Sequence, residues 1–111
     1  MNWISLTDLN QLNEVSSASH QKNVIIFKHS TRCSVSRMAL KQFERAYDIV
    51  PDKADAYLLD LLNHREVSNQ IASKFHVVHQ SPQLLLIENG EVIFEATHAQ
   101  IDASELKSKI K

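Results

Sequence analysis

The 111-residue chain holds one glycine, two prolines and one cysteine. So little glycine and proline argues against disorder, flexible linkers and a site built from elaborate loops. A single cysteine cannot form an internal disulfide framework, so a reducing compartment, the cytoplasm, is the expected home. No apolar run approaches the ~20 residues a membrane helix needs. The opening Met-Asn-Trp-Ile-Ser-Leu-Thr-Asp does not have the pattern of a signal peptide. Charge of one sign is missing too. The net charge of -1 gives no reason to expect nucleic acid or an anionic membrane as partner. There is no internal repeat and no low-complexity tract. What is present is ordinary for one globular domain spanning 1–111: 43% hydrophobic and 23% charged residues, at a length that supports a core without staples.

One stretch organises the rest. Val24 to Phe27 is an apolar, β-branched run that reads as a short buried strand. Val35, Met38, Ala39, Phe43 and Ala46 follow at helical spacing and predict a helix to about Asp48, with Pro51 beyond its end. Between strand and helix lies a polar turn ending in Cys33. That connection puts Cys33 at the helix N-terminus, where unpaired backbone N–H groups and the positive dipole end favour an anion. For cysteine the anion is the reactive thiolate, and helix N-termini can bring a thiol pKa from ~8.5 into the ~3.5–7.5 range. Lys28, His29, Arg32 and Arg37 lie nearby in sequence and are expected to tune the thiol the same way.

In chain order, residues 5–18 read as a first helix. Ser5 is its N-cap, Ile4 staples onto Leu9, and Leu6, Leu9, Leu12 and Val15 form the inward stripe. Residues 16–23 are a loop by composition. Ala56 to Leu62 reads as a strand covered on both faces. Asn63 with Glu66 suggests a capping box for a helix whose stripe is Val67, Ile71 and Phe75. Leu84–Ile87, Asn89-Gly90 and Val92–Phe94 read as a hairpin. A last helix starts at Asp102, with Ile101 stapled to Leu106, and Leu106 and Ile110 inward. The order α-β-α-β-α-β-β-α, with two strand–helix–strand crossovers placing parallel strands side by side and the hairpin adding an antiparallel edge, predicts an α/β fold. The expected form is a four-stranded mixed sheet with helices on both faces, the thioredoxin-like architecture. Ligands in such sheets bind beyond the carboxyl ends of the strands, where Cys33 falls.

Phe27-Lys28-His29-Ser30-Thr31-Arg32-Cys33-Ser34-Val35-Ser36-Arg37-Met38-Ala39 resembles the active-site segment of the monothiol bacilliredoxins, the YtxJ-like general stress proteins. His79-Gln80-Ser81-Pro82-Gln83 with the following Leu-Leu-Ile-Glu-Asn-Gly, and the Thr97-His98 pair, are also similar to that family, so the resemblance spans nearly the whole chain. The family reads Cys-Pro-Ile-Ser where this chain reads Cys33-Ser34-Val35-Ser36. Proline suits the first helical turn, and serine there keeps the helix. The resemblance implies a cytoplasmic thioredoxin-fold protein that exchanges bacillithiol with mixed disulfides on oxidised, S-thiolated client proteins. Bacillithiol is then a co-substrate, and no bound cofactor is expected. The resemblance further implies that Ser81-Pro82 forms a cis-proline loop against the cysteine, and that Thr97 and His98 sit where related redoxins hold the carboxylates of a small thiol.

Thiol–disulfide exchange needs an attacking thiolate, access and a leaving thiol. A dithiol enzyme resolves its intermediate with a cysteine three residues on. Here that position is Ser36, which leaves a monothiol mechanism with Cys33 as the catalytic residue. The expected substrate-binding residues are Arg32, Ser34, Ser36, Ser81, Pro82, Thr97 and His98; the expected thiol-tuning residues are His29, Arg32 and Arg37. No metal is expected, because His76 and His79 have no further ligands clustered in sequence. Asp60 reads as a strand terminator, with a buried proton-accepting carboxylate as the alternative. Two other functions compete: a redox-inactive binding module with Cys33 as a small buried hydrophobe, and an iron–sulfur carrier, for which Ser34 replaces the usual glycine. A monomer is expected, with the edge strand at 92–94 as the place where a dimer would form.

Overall fold

The computed structural model describes residues 1–110. In chain order the elements are β1 (Trp3–Ser5), α1 (Asn10–Ala18), β2 (Asn23–His29), α2 (Ser34–Ala46), β3 (Ala54–Asp60), α3 (Arg65–Phe75), β4 (Gln83–Glu88), β5 (Glu91–Thr97), a 3-10 turn (His98–Gln100) and α4 (Ala103–Ser108). They form one five-stranded sheet in the order β1-β3-β2-β4-β5. β2 is central and buried along its whole length. That explains its unbroken apolar run, since a strand covered on both faces has no solvent side to alternate toward. β1 and β2 run parallel to β3, whereas β4 is antiparallel to β2 and β5 antiparallel to β4.

Successive residues of β2 and β4 point to opposite faces. Val24, Ile26, Leu85 and Ile87 join Leu12, Val15, Val67, Ile71 and Phe75 in a core under α1 and α3. Ile25, Phe27, Leu84 and Leu86 join Ala39, Phe43, Ile101 and Leu106 under α2 and α4. The hairpin turns through Asn89 (φ 52°) and Gly90 (φ 78°), the two left-handed residues a tight hairpin turn requires. Asn89 N–H donates to the Ser19 carbonyl and Gly90 N–H to Ser19 Oγ, which pins the turn to the end of α1. No helix among the described residues is long and apolar enough to cross a membrane.

Four expectations are corrected. The sheet has five strands rather than four, because residues 3–5 pair with β3 instead of opening a helix. Trp3 decides this: it stacks on Phe43, meets Phe27 edge-on at 6.0 Å, and donates from Nε1 to Glu44 Oε2 at 2.7 Å. With that anchor in place, Leu6 turns into the opposite core, while Ile4 and Leu9 are exposed and form no staple. Second, β4 is antiparallel to the central strand, so only the β2–α2–β3 crossover places parallel neighbours side by side. Third, α2 ends at Ala46, and its inward face is Ser36, Ala39 and Phe43, with Val35 and Met38 exposed. Fourth, α3 starts at Arg65 with His64 in the cap position; Asn63 instead donates to Asp60 Oδ2 at 2.8 Å. The cap predicted at Asp102 is present, its Oδ1 accepting the Ser104 N–H at 2.9 Å.

Candidate active site at one end of the sheet

β2, β3 and β5 end, and β4 begins, at the same edge of the sheet. The register pairs Lys28 with Gln83, His29 with Asp60 and Gln83 with Thr97. The segments that continue from these pairs are therefore neighbours: Ser30–Cys33 after β2, Ser81–Pro82 before β4, and Thr97–His98 after β5. Cys33 stands in extended conformation (φ -102°, ψ 122°) at the N-cap of α2 and is partly exposed. Its N–H donates to the Ser30 carbonyl, and its own carbonyl accepts from Arg37 N–H. The N–H groups of the first helical turn have no intrahelical acceptor, so this end of α2 is polarised toward negative charge.

The Ser81–Pro82 peptide bond is cis. The Pro82 carbonyl accepts from His98 N–H at 3.3 Å, which ties the proline loop to the turn after β5. His98 is exposed with φ 52°, Thr97 is half-buried, and Ser81 Oγ is buried with no partner among the described residues. Arg32 and Ser34 are exposed on either side of Cys33. Arg37 reaches back from α2 to donate to the Thr31 carbonyl at 3.0 Å, bracing the turn that carries the cysteine.

Two sequence-predicted site residues are occupied with each other instead. Ser36 is fully buried, and its Oγ accepts the Ser30 N–H at 3.0 Å and lies 2.7 Å from His29 Nδ1. The Ser36 hydroxyl and the His29 ring share one short hydrogen bond, and either group can supply its proton. Ser36 is thus sequestered from substrate, and it joins the cysteine turn to the helix. Burial holds the His29 imidazole below its ordinary pKa, against the opposing pull of the Asp60 carboxylate. His29 is consequently a neutral ring bonded to Ser36 rather than a cation beside the thiol.

Lys28 also departs from expectation. It points to the α3 side of the sheet, fully buried, with Nζ 3.2 Å from the Ser68 carbonyl and 3.2 Å from His79 Nδ1. Burial pushes its pKa from 10.5 down to about 8. His79 is held below its usual value by burial and by the Lys28 and Arg65 charges, and it also meets Ser68 Oγ at 3.3 Å. This cluster, which joins β2 and α3 to the loop preceding Pro82, escaped the sequence reading. A lysine directly following the apolar run Val24 to Phe27 was the available signal. Asp60 does terminate its strand, with one oxygen bonded to Asn63 and the other buried without a partner among the described residues.

A central sheet with this order, two helices on each face, a cysteine at the N-cap position of a helix and a cis-proline loop at the same edge define a thioredoxin-fold redox protein. Solved structures agree. A thioredoxin-fold protein proposed to be an oxidoreductase is 32% identical, with a TM-score of 0.79 over 95% of this chain and 90% of that one. The thioredoxin of Malassezia sympodialis is 22% identical, with a TM-score of 0.73 over 96% and 86%. That of Trypanosoma brucei brucei is 17% identical, with a TM-score of 0.72 over 97% and 87%. These last two show the fold alone. The chain belongs to the monothiol bacilliredoxin BrxC family, which matches residues 4–106.

Proposed function

We propose that this protein removes bacillithiol from mixed disulfides on client proteins in the cytoplasm, through Cys33 alone. The observation that carries the reading is the arrangement at the start of α2. The sole cysteine of the chain stands at the N-cap position of the helix and is partly exposed, while a buried serine fills the position three residues on. In the first step the Cys33 thiolate attacks the bacillithiol sulfur of the client mixed disulfide. The client sulfur leaves as thiolate, and Cys33 becomes bonded to bacillithiol. No second cysteine is available to resolve this species. A second thiolate, from another small thiol or a reductant, must attack the bacillithiol sulfur and release Cys33.

The segments at the sheet edge support the same reading. Pro82 and the backbone before it would align the incoming disulfide-bearing segment. Arg32, Ser34, Thr97 and His98 offer charge, hydroxyl and imidazole groups to the polar, anionic body of a small thiol. The test is the intact mass of reduced protein after incubation with a bacillithiol-capped test protein, with Cys33→Ser alongside. The expected result is one bacillithiol adduct on the wild type, loss of the cap from the test protein and no change with Cys33→Ser. If bacillithiol, glutathione and coenzyme A caps all stay in place, monothiol exchange is refuted. Transfer of only one of the other two would replace bacillithiol as the co-substrate.

A further inference from the structure

We propose that the outward face of α2 is the docking surface for clients, and that it selects segments carrying carboxylates close to the capped cysteine. The inference rests on the exchange reading above and adds the chemistry of its partner. Arg37, Lys41 and Arg45 recur every fourth residue along α2, so they line one face of the helix, starting next to Cys33. All three are exposed. Among the described residues the ion pairs are Lys22–Asp55 and Lys107–Asp48, and none of the three cations takes part in either. The one acidic residue of α2, Glu44, is occupied by the Trp3 indole N–H. Arg37 uses one of its N–H donors on the Thr31 carbonyl and keeps its charge and remaining donors free for a partner.

The cations do not stand on a bare polar surface. With Ser34, Met38 and Gln42 they line a groove of about 420 Å³. Met38 is 62% exposed and Val35 is 52% exposed on the same helix. A flexible thioether beside positive charges suits a surface that must accept many different apolar side chains while demanding one kind of charge. At a helical rise of ~1.5 Å per residue, the three cations lie about 6, 12 and 18 Å along α2 from Cys33. An extended client segment advances ~3.3 Å per residue, so its matching carboxylates fall about two to six positions from the capped cysteine.

Exposed ion pairs are individually weak, so each is worth a factor of about two, and three together about eightfold. The experiment uses two bacillithiol-capped peptides of one sequence, with glutamates or glutamines at positions two to six from the cysteine. Second-order rates of cap transfer to wild-type protein are compared with those to the Lys41→Glu, Arg45→Glu double variant, at ~0.02 M and ~0.5 M salt. The expected result is a preference for the acidic peptide of about eightfold at low salt. It should vanish at high salt and reverse in the double variant, with transfer from a small uncharged disulfide unchanged. Equal rates for the two peptides, or the same preference in the double variant, would overturn the proposal. A second measurement is independent of exchange: the Cys33→Ser protein is titrated with each uncapped peptide and amide chemical shifts are followed. Shifts over residues 34–45 with the acidic peptide alone support docking, and their absence refutes it even if caps are transferred. Docking shifts without cap transfer in any peptide would instead point to failure of the exchange reading alone.

Discussion

Lys28 offers the sharpest test of the physical picture. Its ammonium group is fully buried, and its partners are a carbonyl and a neutral imidazole rather than a carboxylate. The fall in pKa from 10.5 to about 8 means that the charged form is disfavoured by the fold. At ~1.4 kcal/mol per pH unit, keeping the charge inside costs on the order of 3 kcal/mol. Between pH 8 and 10.5 the unfolded chain holds a proton on this lysine that the folded chain has lost, so stability rises with pH across that window. Below pH 8 both states are protonated, and the contribution is flat. Lys28→Met keeps the length of the side chain and removes the charge. It also strips partners from Ser68 and His79, an offset of about 1–2 kcal/mol that does not change in this pH range. Tyr47 and Tyr57, whose pKa values are raised by burial, lower the stability of both proteins at the alkaline end and cancel in the difference. Urea unfolding at fixed ionic strength from pH 7 to 10 should show wild type gaining on the variant by about 1.4 kcal/mol per unit above pH 8, with equal m-values. A difference that stays flat from pH 7 to 10 would show that Lys28 is hydrated, and would refute its burial beneath the sheet face.

Two further outcomes follow from the groups on either side of the sheet. Ser36→Ala removes the hydroxyl that serves both Ser30 N–H and His29 Nδ1, and should cost about 2 kcal/mol. At ~4 °C per kcal/mol for a chain of this size, the thermal midpoint should fall by about 8 °C, read by circular dichroism. On the acid side, His29 and His79 both have lowered pKa values. The stability linked to their neutral forms is complete above the unfolded value of 6.5 and is lost as pH falls through the lower folded values. Urea midpoints should therefore drop below about pH 6.5, and His79→Gln should flatten part of that slope.

Much of the chain was legible before folding because its cues are local. The unbroken run in β2, the Asn89-Gly90 turn, the Asp102 cap and the stripe of Val67, Ile71 and Phe75 each rest on a few neighbouring residues. Cys33 at a strand-to-helix junction is likewise a local pattern, and the residues around it carried the family resemblance. Tertiary structure decided what depends on distant partners. Trp3 becomes part of a strand because β3 presents an open edge and Phe27, Phe43 and Glu44 receive its ring. β4 turns antiparallel to β2 because of where α3 returns the chain, which no local pattern encodes. The pairing of His29 with Ser36, and of Lys28 with His79 on the opposite face, follows from the alternation of β2 combined with which helix covers each side. Sequence supplies the chemical groups and their order, but burial and partnership set their charge, and those exist only once the sheet has two covered faces.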